Sequence, residues 1–419
     1  MNCKSLLVPS VVMAATAAFA DFDGGPKGIK INDRILIRPY VGFSYTYDSN
    51  IDSGKHGKGT SSWTITPGAS TSLKGDRWHS SLAAHYSYHA YESNSHRLNN
   101  SSYSINGSYG WTTGLDNERG WSFVASGSYS QTSQDDDMSK SDGRGIGRDR
   151  QSAHASAGVE HRFTSRVHAG ANMSFNYLDF DNNVDKYADM YGWQLCNIGV
   201  NAGYVVSPKI DISLSSSFQG FWQDNHKGSN NNPEDEVRGH TRSSHSKGWT
   251  VHLGISTRAT TRIRYNLSGG WSHFDYGGSA KAKDSFTYST SGSWKVSPKT
   301  SLMWVGSSYY QPSERETNAA CKNYSLSAGL ARSMIRGRMS SNLNVSYRHQ
   351  VHTTYEYKSD DYTEDIITLR LGLNYTLNQF MGLFGSVEYQ TCMGDGSGIK
   401  NNAYDYDRWR ATVGFRLTY

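Results

Sequence analysis

Apolar and polar side chains alternate along nearly the whole chain. The last eleven residues show this most simply. Trp409, Ala411, Val413, Phe415, Leu417 and Tyr419 share one parity; Arg408, Arg410, Thr412, Gly414, Arg416 and Thr418 share the other. A period of two is the signature of a β-strand. Residues 35–48 repeat it: Ile35, Ile37, Val41, Phe43, Tyr45 and Tyr47 oppose Arg38, Tyr40, Gly42, Ser44, Thr46 and Asp48. A second strand is expected near 60–73. A third runs over 78–91, with Trp78, Leu82, Ala84, Tyr86 and Tyr88 against His79, Ser81, His85, Ser87 and His89. Further segments centre on Ser104, Ala125, Ala157, Met173, Ile198, Leu214, Leu253, Leu267, Tyr288, Val305, Leu326, Val345, Leu371, Val387 and Val413. The pattern predicts about eighteen strands, with sixteen as the alternative if boundaries are misplaced.

The connections sort by length. Short ones fall at 74–77, 114–120, 164–166, 207–209, 259–261, 297–300, 335–338 and 378–380. Long polar ones fall at 49–59, 92–97, 134–149, 181–189, 224–246, 277–282, 312–318, 351–364 and 394–402. Strict short–long alternation predicts an up-and-down antiparallel transmembrane β-barrel with tight periplasmic turns and long extracellular loops. A two-sheet sandwich also alternates, but its loops need not sort by length and its apolar face needs no aromatic at each end. The exposed apolar C-terminal strand resembles the closing strand of bacterial outer-membrane barrels, whose assembly machinery reads such a terminus. Phe415, Leu417 and Tyr419 would form that signal.

The start of the chain agrees. Lys4 gives a positive n-region, residues 6–17 an apolar h-region, and Ala18-Phe19-Ala20 an A-x-A site with cleavage after Ala20. The expected organisation is a signal peptide over 1–20, a short periplasmic lead-in over 21–34, too short for a plug, and a barrel over 35–419. Mean hydropathy of −0.65 argues against a helical membrane protein. Polar on average yet rich in Tyr (28) and Gly (42) and poor in Pro (8), the composition is what alternation between lipid and water gives. A net charge of +5 without a basic, aromatic-interleaved run gives no sign of nucleic acid. Cys196, Cys321 and Cys392 are odd in number and widely spaced, so packing residues are expected rather than a disulfide framework or a zinc site.

The first strand and its exit read Tyr45-Thr-Tyr47-Asp48-Ser-Asn50-Ile51. An aromatic strand running into Asp-x-Asn resembles the opening of the putative β-barrel porin 2 proteins. That resemblance implies an outer-membrane porin without a defined substrate. Long outer loops and no plug set the chain apart from TonB-dependent receptors.

With the apolar parity outward, the other parity lines a lumen. Its charged and titratable positions include Arg38, His79, His85, His89, His154, Glu160, Arg162, His168, Asp211, His252, Arg258, Arg262, Arg264, Lys295, Arg348, Arg370, Glu388, Arg408, Arg410 and Arg416. Bases outnumber acids, and a cationic wall favours anions. The competing reading is that these Arg pair with carboxylates on neighbouring strands and set register. Two loops are candidates to fold inward and constrict the pore: residues 134–149, with Asp135, Asp136, Asp137, Arg144 and Arg148, and residues 224–246.

Other chemistry finds less support. His85 and His89 lie about 13 Å apart along a strand, too far for one metal; a pair from His154 and His168 would need cross-strand register. The glycines of 143–147 lack a strand-to-helix context, and 181–185 lacks an EF-hand frame. No Gly-x-Ser-x-Gly elbow is present, although His273 and His349 sit on the outward parity near loop ends, where an outer-membrane hydrolase would place them. The reading is therefore a passive diffusion channel for small hydrophilic solutes, without catalytic, cofactor or metal residues. Expected partners are outer-membrane lipid and lipopolysaccharide, the barrel-assembly machinery and the solutes, with a homo-oligomer left open. A structural or adhesive barrel and a polysaccharide-export pore stand as alternatives.

Overall fold

The computed structural model describes residues 28–50, 59–92, 99–113, 119–132, 150–180, 192–223, 245–275, 282–312, 318–354, 362–395 and 405–419. A short strand, β1 (Ile29–Asn32), precedes the long ones. These are β2 (Ile35–Asp48), β3 (Thr60–Lys74), β4 (Trp78–Tyr91), β5 (Asn100–Thr112), β6 (Gly120–Thr132), β7 (Arg150–Arg162), β8 (Val167–Phe180), β9 (Trp193–Ser207) and β10 (Ile210–Gln223). They continue with β11 (His245–Thr257), β12 (Ile263–Asp275), β13 (Lys283–Ser297), β14 (Thr300–Pro312), β15 (Asn318–Met334), β16 (Met339–Thr354), β17 (Tyr362–Thr376), β18 (Met381–Asp395) and β19 (Tyr406–Thr418).

Each long strand pairs antiparallel with the next, and β19 pairs with β2, so the eighteen strands β2–β19 close on themselves. Following register partners once round the ring returns to β2 displaced by about 22 residues. With strands ~4.7 Å apart, that shear tilts them about 40° and sets a backbone ring of roughly 18 Å radius.

The parities separate as the sequence pattern requires. Val413 (62% exposed), Leu253, Leu214, Ile198 and Leu326 face outward. Tyr47, Trp63, Tyr88, Tyr103, Trp249, Trp271 and Trp409 stand outward near the long connections. Trp111, Trp121, Tyr204, Tyr265, Trp294, Phe380 and Tyr419 stand near the short ones. Trp409 and Tyr419 are ~33 Å apart along β19, which at this tilt is about 25 Å of height, the apolar band of an outer-membrane barrel.

The lead-in is partly built into the fold. Ile29–Asn32 turns back on β2, with Ile29 opposite Ile37. Lys30 Nζ donates to Asp33 at 2.6 Å. The expected signal peptide and its Ala20 cleavage site lie outside the described residues. At the Met334–Met339 turn, Ile335 and Arg336 take φ of 50° and 51° and Gly337 takes 86°. A β-branched side chain at positive φ is strained, whereas Gly337 meets that conformation without cost.

The seam between β2 and β19 is the longest-range contact of the chain, and a compact knot of polar groups closes its outer end. Arg408 Nε donates to both oxygens of Asp48 at 2.9 Å, and its Nη2 also bonds Oδ2. Arg410 Nε reaches the same carboxylate at 3.2 Å. Ser49 N–H donates to the Trp409 carbonyl at 2.8 Å, and Trp409 N–H returns to Ser49 Oγ at 2.7 Å. Asn50 Nδ2 donates to the Asp407 carbonyl at 3.0 Å. The Asp-x-Asn exit of the first strand is thus a clasp on the last strand. Asp48 and Arg408 are 6% and 7% exposed, so removing one partner strands a buried charge.

Two outcomes are expected. Asp48→Ala should cost about 3–5 kcal/mol, seen as a fall in the temperature at which the folded band on unheated gels converts to the unfolded one; Asp48→Glu should recover part of it. Val413→Arg, placed mid-height on the oily wall, should cost about 2–4 kcal/mol in reversible folding into bilayers, while Thr412→Arg on the opposite face should cost little.

Candidate functional site: the inner wall of the bore

The inner wall is made of the polar parity of every strand, and most of it is small. Hydroxyls and amides join neighbouring strands: Thr46 with Thr412 at 2.9 Å, Thr66 with Ser87 at 3.0 Å, Ser126 with Ser156 at 2.6 Å and Ser217 with Thr250 at 2.6 Å. Cross-strand hydroxyl pairs satisfy one another without long side chains, so the wall stays polar.

Exposure changes along the bore. Inward residues near the long connections are buried: Asn323, His352, Glu364, Cys392, Tyr406 and Arg408 on one side, Ser62, Thr64, Ser87, Tyr91 and Asn100 on the other. Near the short turns Ser72, Lys74, His79 and Ser81 are exposed, most other inward residues are half-buried, and His168 is buried. Buried inward side chains are therefore more frequent toward the long connections.

Charge on the wall follows register. Arg370 stands opposite Glu388, Glu388 opposite Arg410, and Arg410 opposite Asp48, a row of alternating sign across β17, β18, β19 and β2. Higher up, His352 Nε2 lies 3.1 Å from Glu364 Oε2, both nearly buried, and the His352 ring stacks on Tyr362 at 4.4 Å. Near the short turns, Nε2 of His168 meets Asp211 Oδ2 at 3.0 Å and its Nδ1 lies 3.6 Å from Glu160. To reach β10 from β8, His168 crosses β9 over Gly203; a Cβ there would sit 2.2 Å from the ring. Arg416 lies over the Tyr40 ring at 4.8 Å. Arg38, Arg264, Arg348 and Lys295 form no ion pair with a carboxylate among the described residues.

Most of the expected wall positions lie where the parity put them. Arg38, His85, His89, Arg162, Arg264, Arg348, Arg370, Glu388, Arg408, Arg410 and Arg416 are on inward positions of their strands. Arg262 is the exception: β12 begins at Ile263, and Arg262 is exposed in the turn after Thr257, where its N–H bonds Thr260 Oγ1 at 3.1 Å. Thr260 caps that turn, so the strand starts one residue later than the parity count assumes. Two inward acids, Asp48 and Glu364, were left out of the charge balance. Asp48 shares its carboxylate between Arg408 and Arg410. At the seam, then, arginines serve register.

The remaining candidates separate. His85 pairs with Ser104 at 3.1 Å and His89 with Thr64 at 2.9 Å. His154 meets Asn176 at 2.8 Å, and His168 stands opposite Arg162, so the two histidines are not partners. Among the described residues Cys196, Cys321 and Cys392 form no disulfide. His273 and His349 do face outward, bonded to Asp284 at 2.8 Å and Asp365 at 2.9 Å; Tyr347 donates to the same Asp365 oxygen. Phe415 packs on Phe43 at 5.6 Å, Leu417 is exposed on the outward wall, and Tyr419 stacks on Phe380 at 6.2 Å. Asp135, Asp136, Asp137, Arg144 and Arg148, with most of the 224–246 loop, lie outside the described residues, as do 143–147 and 181–185.

Solved structures with a related fold are the siderophore receptor PirA from Acinetobacter baumannii and the FrpB iron transporter from Neisseria meningitidis (F5-1 variant). PirA is 9% identical, with TM-score 0.46 over 93% of this chain and 81% of that one. FrpB is 10% identical, with TM-score 0.47 over 94% and 83%. The ferric enterobactin receptor PfeA from Pseudomonas aeruginosa is 9% identical, with TM-score 0.45 over 91% and 81%. A search of curated proteins finds no match. A family model described as "Putative beta-barrel porin 2" matches residues 24–418, nearly the whole chain, and the protein belongs to that family of outer-membrane barrels.

Proposed function

We propose that this protein is a passive diffusion channel of the outer membrane for small hydrophilic solutes, exported by its first twenty residues and folded by the barrel-assembly machinery through the strand ending in Phe415, Leu417 and Tyr419. The observation that carries this reading is the width and chemistry of the bore. An eighteen-strand ring of roughly 18 Å radius is too wide for side chains alone to fill. Its wall is lined by hydroxyls and amides rather than by an apolar core. A solute passing it exchanges water for wall hydroxyls at little cost.

Selectivity follows from the wall charges not neutralised by register. Arg38, Arg264, Arg348 and Lys295 have no carboxylate partner among the described residues, so the field in the bore is weakly positive.

Reconstituted into planar bilayers, the purified protein should give stepwise ohmic conductance that falls as uncharged solutes of increasing size enter the pore. Lack of conductance would favour a structural or adhesive barrel instead. In a salt gradient the reversal potential should indicate mild anion preference, and cation preference would refute the basic bore. Arg38→Glu with Arg348→Glu should lower the anion-to-cation permeability ratio about twofold or more, whereas Arg262→Glu, in the turn, should shift it much less.

A further inference from the structure

Among the described residues the ladder skips Thr66 and Pro67 between β3 and β4, and it stops early between β13 and β14. β13 and β14 pair from Ser297 opposite Thr300 as far as Ser289 opposite Ser307. Both strands continue outward. β13 stays on β12 up to Lys283 opposite Phe274, and β14 stays on β15 up to Pro312 opposite Ala320. Between 283–288 and 308–312 no ladder joins them. At the outer end of the split, extended register would put Pro312 opposite Asp284, where proline has no N–H to give. Unpaired backbone at the edge of a membrane is costly, so something must fill the split.

Side chains do so in part. Tyr288 N–H donates to Ser308 Oγ at 3.0 Å. Ser285 Oγ–H donates to the Phe286 carbonyl at 2.9 Å, and Lys322 Nζ, reaching from β15 across β14, donates to the same oxygen at 3.4 Å. The ammonium lies 5.3 Å from the Tyr310 ring and 4.9 Å from the Tyr324 ring. Behind it the wall is closed: Tyr310 stacks on Phe274, and Phe274, Thr287, Ser307 and Ser308 are buried. The ammonium is therefore on the outward side. Lys322 shares its parity with the exposed Leu326 and Leu330, and neighbouring Phe286 and Trp271 are 59% and 50% exposed at the outer aromatic girdle.

Lys322 has no carboxylate partner among the described residues; Asp284, across the split, is bonded to His273. An ammonium has three donors, and the Phe286 carbonyl takes one. Two rings and a carbonyl hold this cation in place but do not neutralise it, at a level where water is scarce. We propose that the β13–β14 split is a seat for the phosphate of an outer-leaflet lipid, with Lys322 as its charged ligand and Phe286, Tyr310 and Trp271 beside the first part of the acyl region. This rests on the membrane placement above and not on conduction.

The test is native mass spectrometry of the full-length protein in detergent with three probes: a phosphorylated outer-leaflet glycolipid, the same lipid with its phosphates removed, and inorganic phosphate alone. The wild type should retain the phosphorylated lipid. Lys322→Gln should weaken that retention about tenfold, Lys322→Arg should keep most of it, and Lys299→Gln, at a periplasmic turn, should change nothing. Heat-modifiable gel mobility shows that each variant is folded. Equal retention by Lys322→Gln, equal retention of the dephosphorylated lipid, or binding of inorganic phosphate without the lipid would each overturn the proposal. Single-channel conductance of Lys322→Gln should match wild type, which separates failure of this site from failure of the channel reading.

Discussion

Closure of the sheet is the constraint on which the rest depends. In hydrocarbon no water satisfies an unpaired N–H or C=O, so an open edge is not a stable option. This chain meets the condition by bringing residues from its two ends together. Thr418 stands opposite Tyr40 and Arg410 opposite Asp48, with a ladder between them. The seam is then fastened at its outer end by a carboxylate gripping two guanidiniums and by reciprocal bonds between Ser49 and Trp409. Loop closure over so many residues is entropically expensive. A buried, geometrically demanding pair suits that place because it holds only when the register is right.

The same pairing logic explains the bore. Residues directly opposite on neighbouring strands must be compatible, and on the inner face that produces hydroxyl pairs, His–carboxylate pairs and the Arg370–Glu388–Arg410–Asp48 row. These contacts hold strands together, and in the proposed channel they would also set the field a solute meets. Arg38 and Arg348 have no acid partner among the described residues, and in the proposed channel they would be the cations a passing anion meets. Structural and functional charge are thus interleaved on one wall. Where the β13–β14 ladder stops, Lys322 from β15 joins Ser285 in donating to the Phe286 carbonyl.

By itself the sequence determined the strands, their number and which side of each meets oil. Alternation is a one-dimensional property, and Trp78 to Tyr88 or Trp409 to Tyr419 display it without any partner. It also marked the seam, since an aromatic strand leaving through Asp48-Ser49-Asn50 was visible as a motif. What that motif touches was not visible, because Arg408 lies at the far end of the chain and only register brings it to Asp48. The same holds for His168 crossing Gly203 to Asp211, and for Lys322 reaching Phe286. Parity assigns a face, but it cannot say which neighbour stands opposite or where a turn ends, and so it put Arg262 on the wall and passed over Glu364 and Asp48 as acids within it. Those questions are decided by shear and register, which exist only once the strands have closed into a ring.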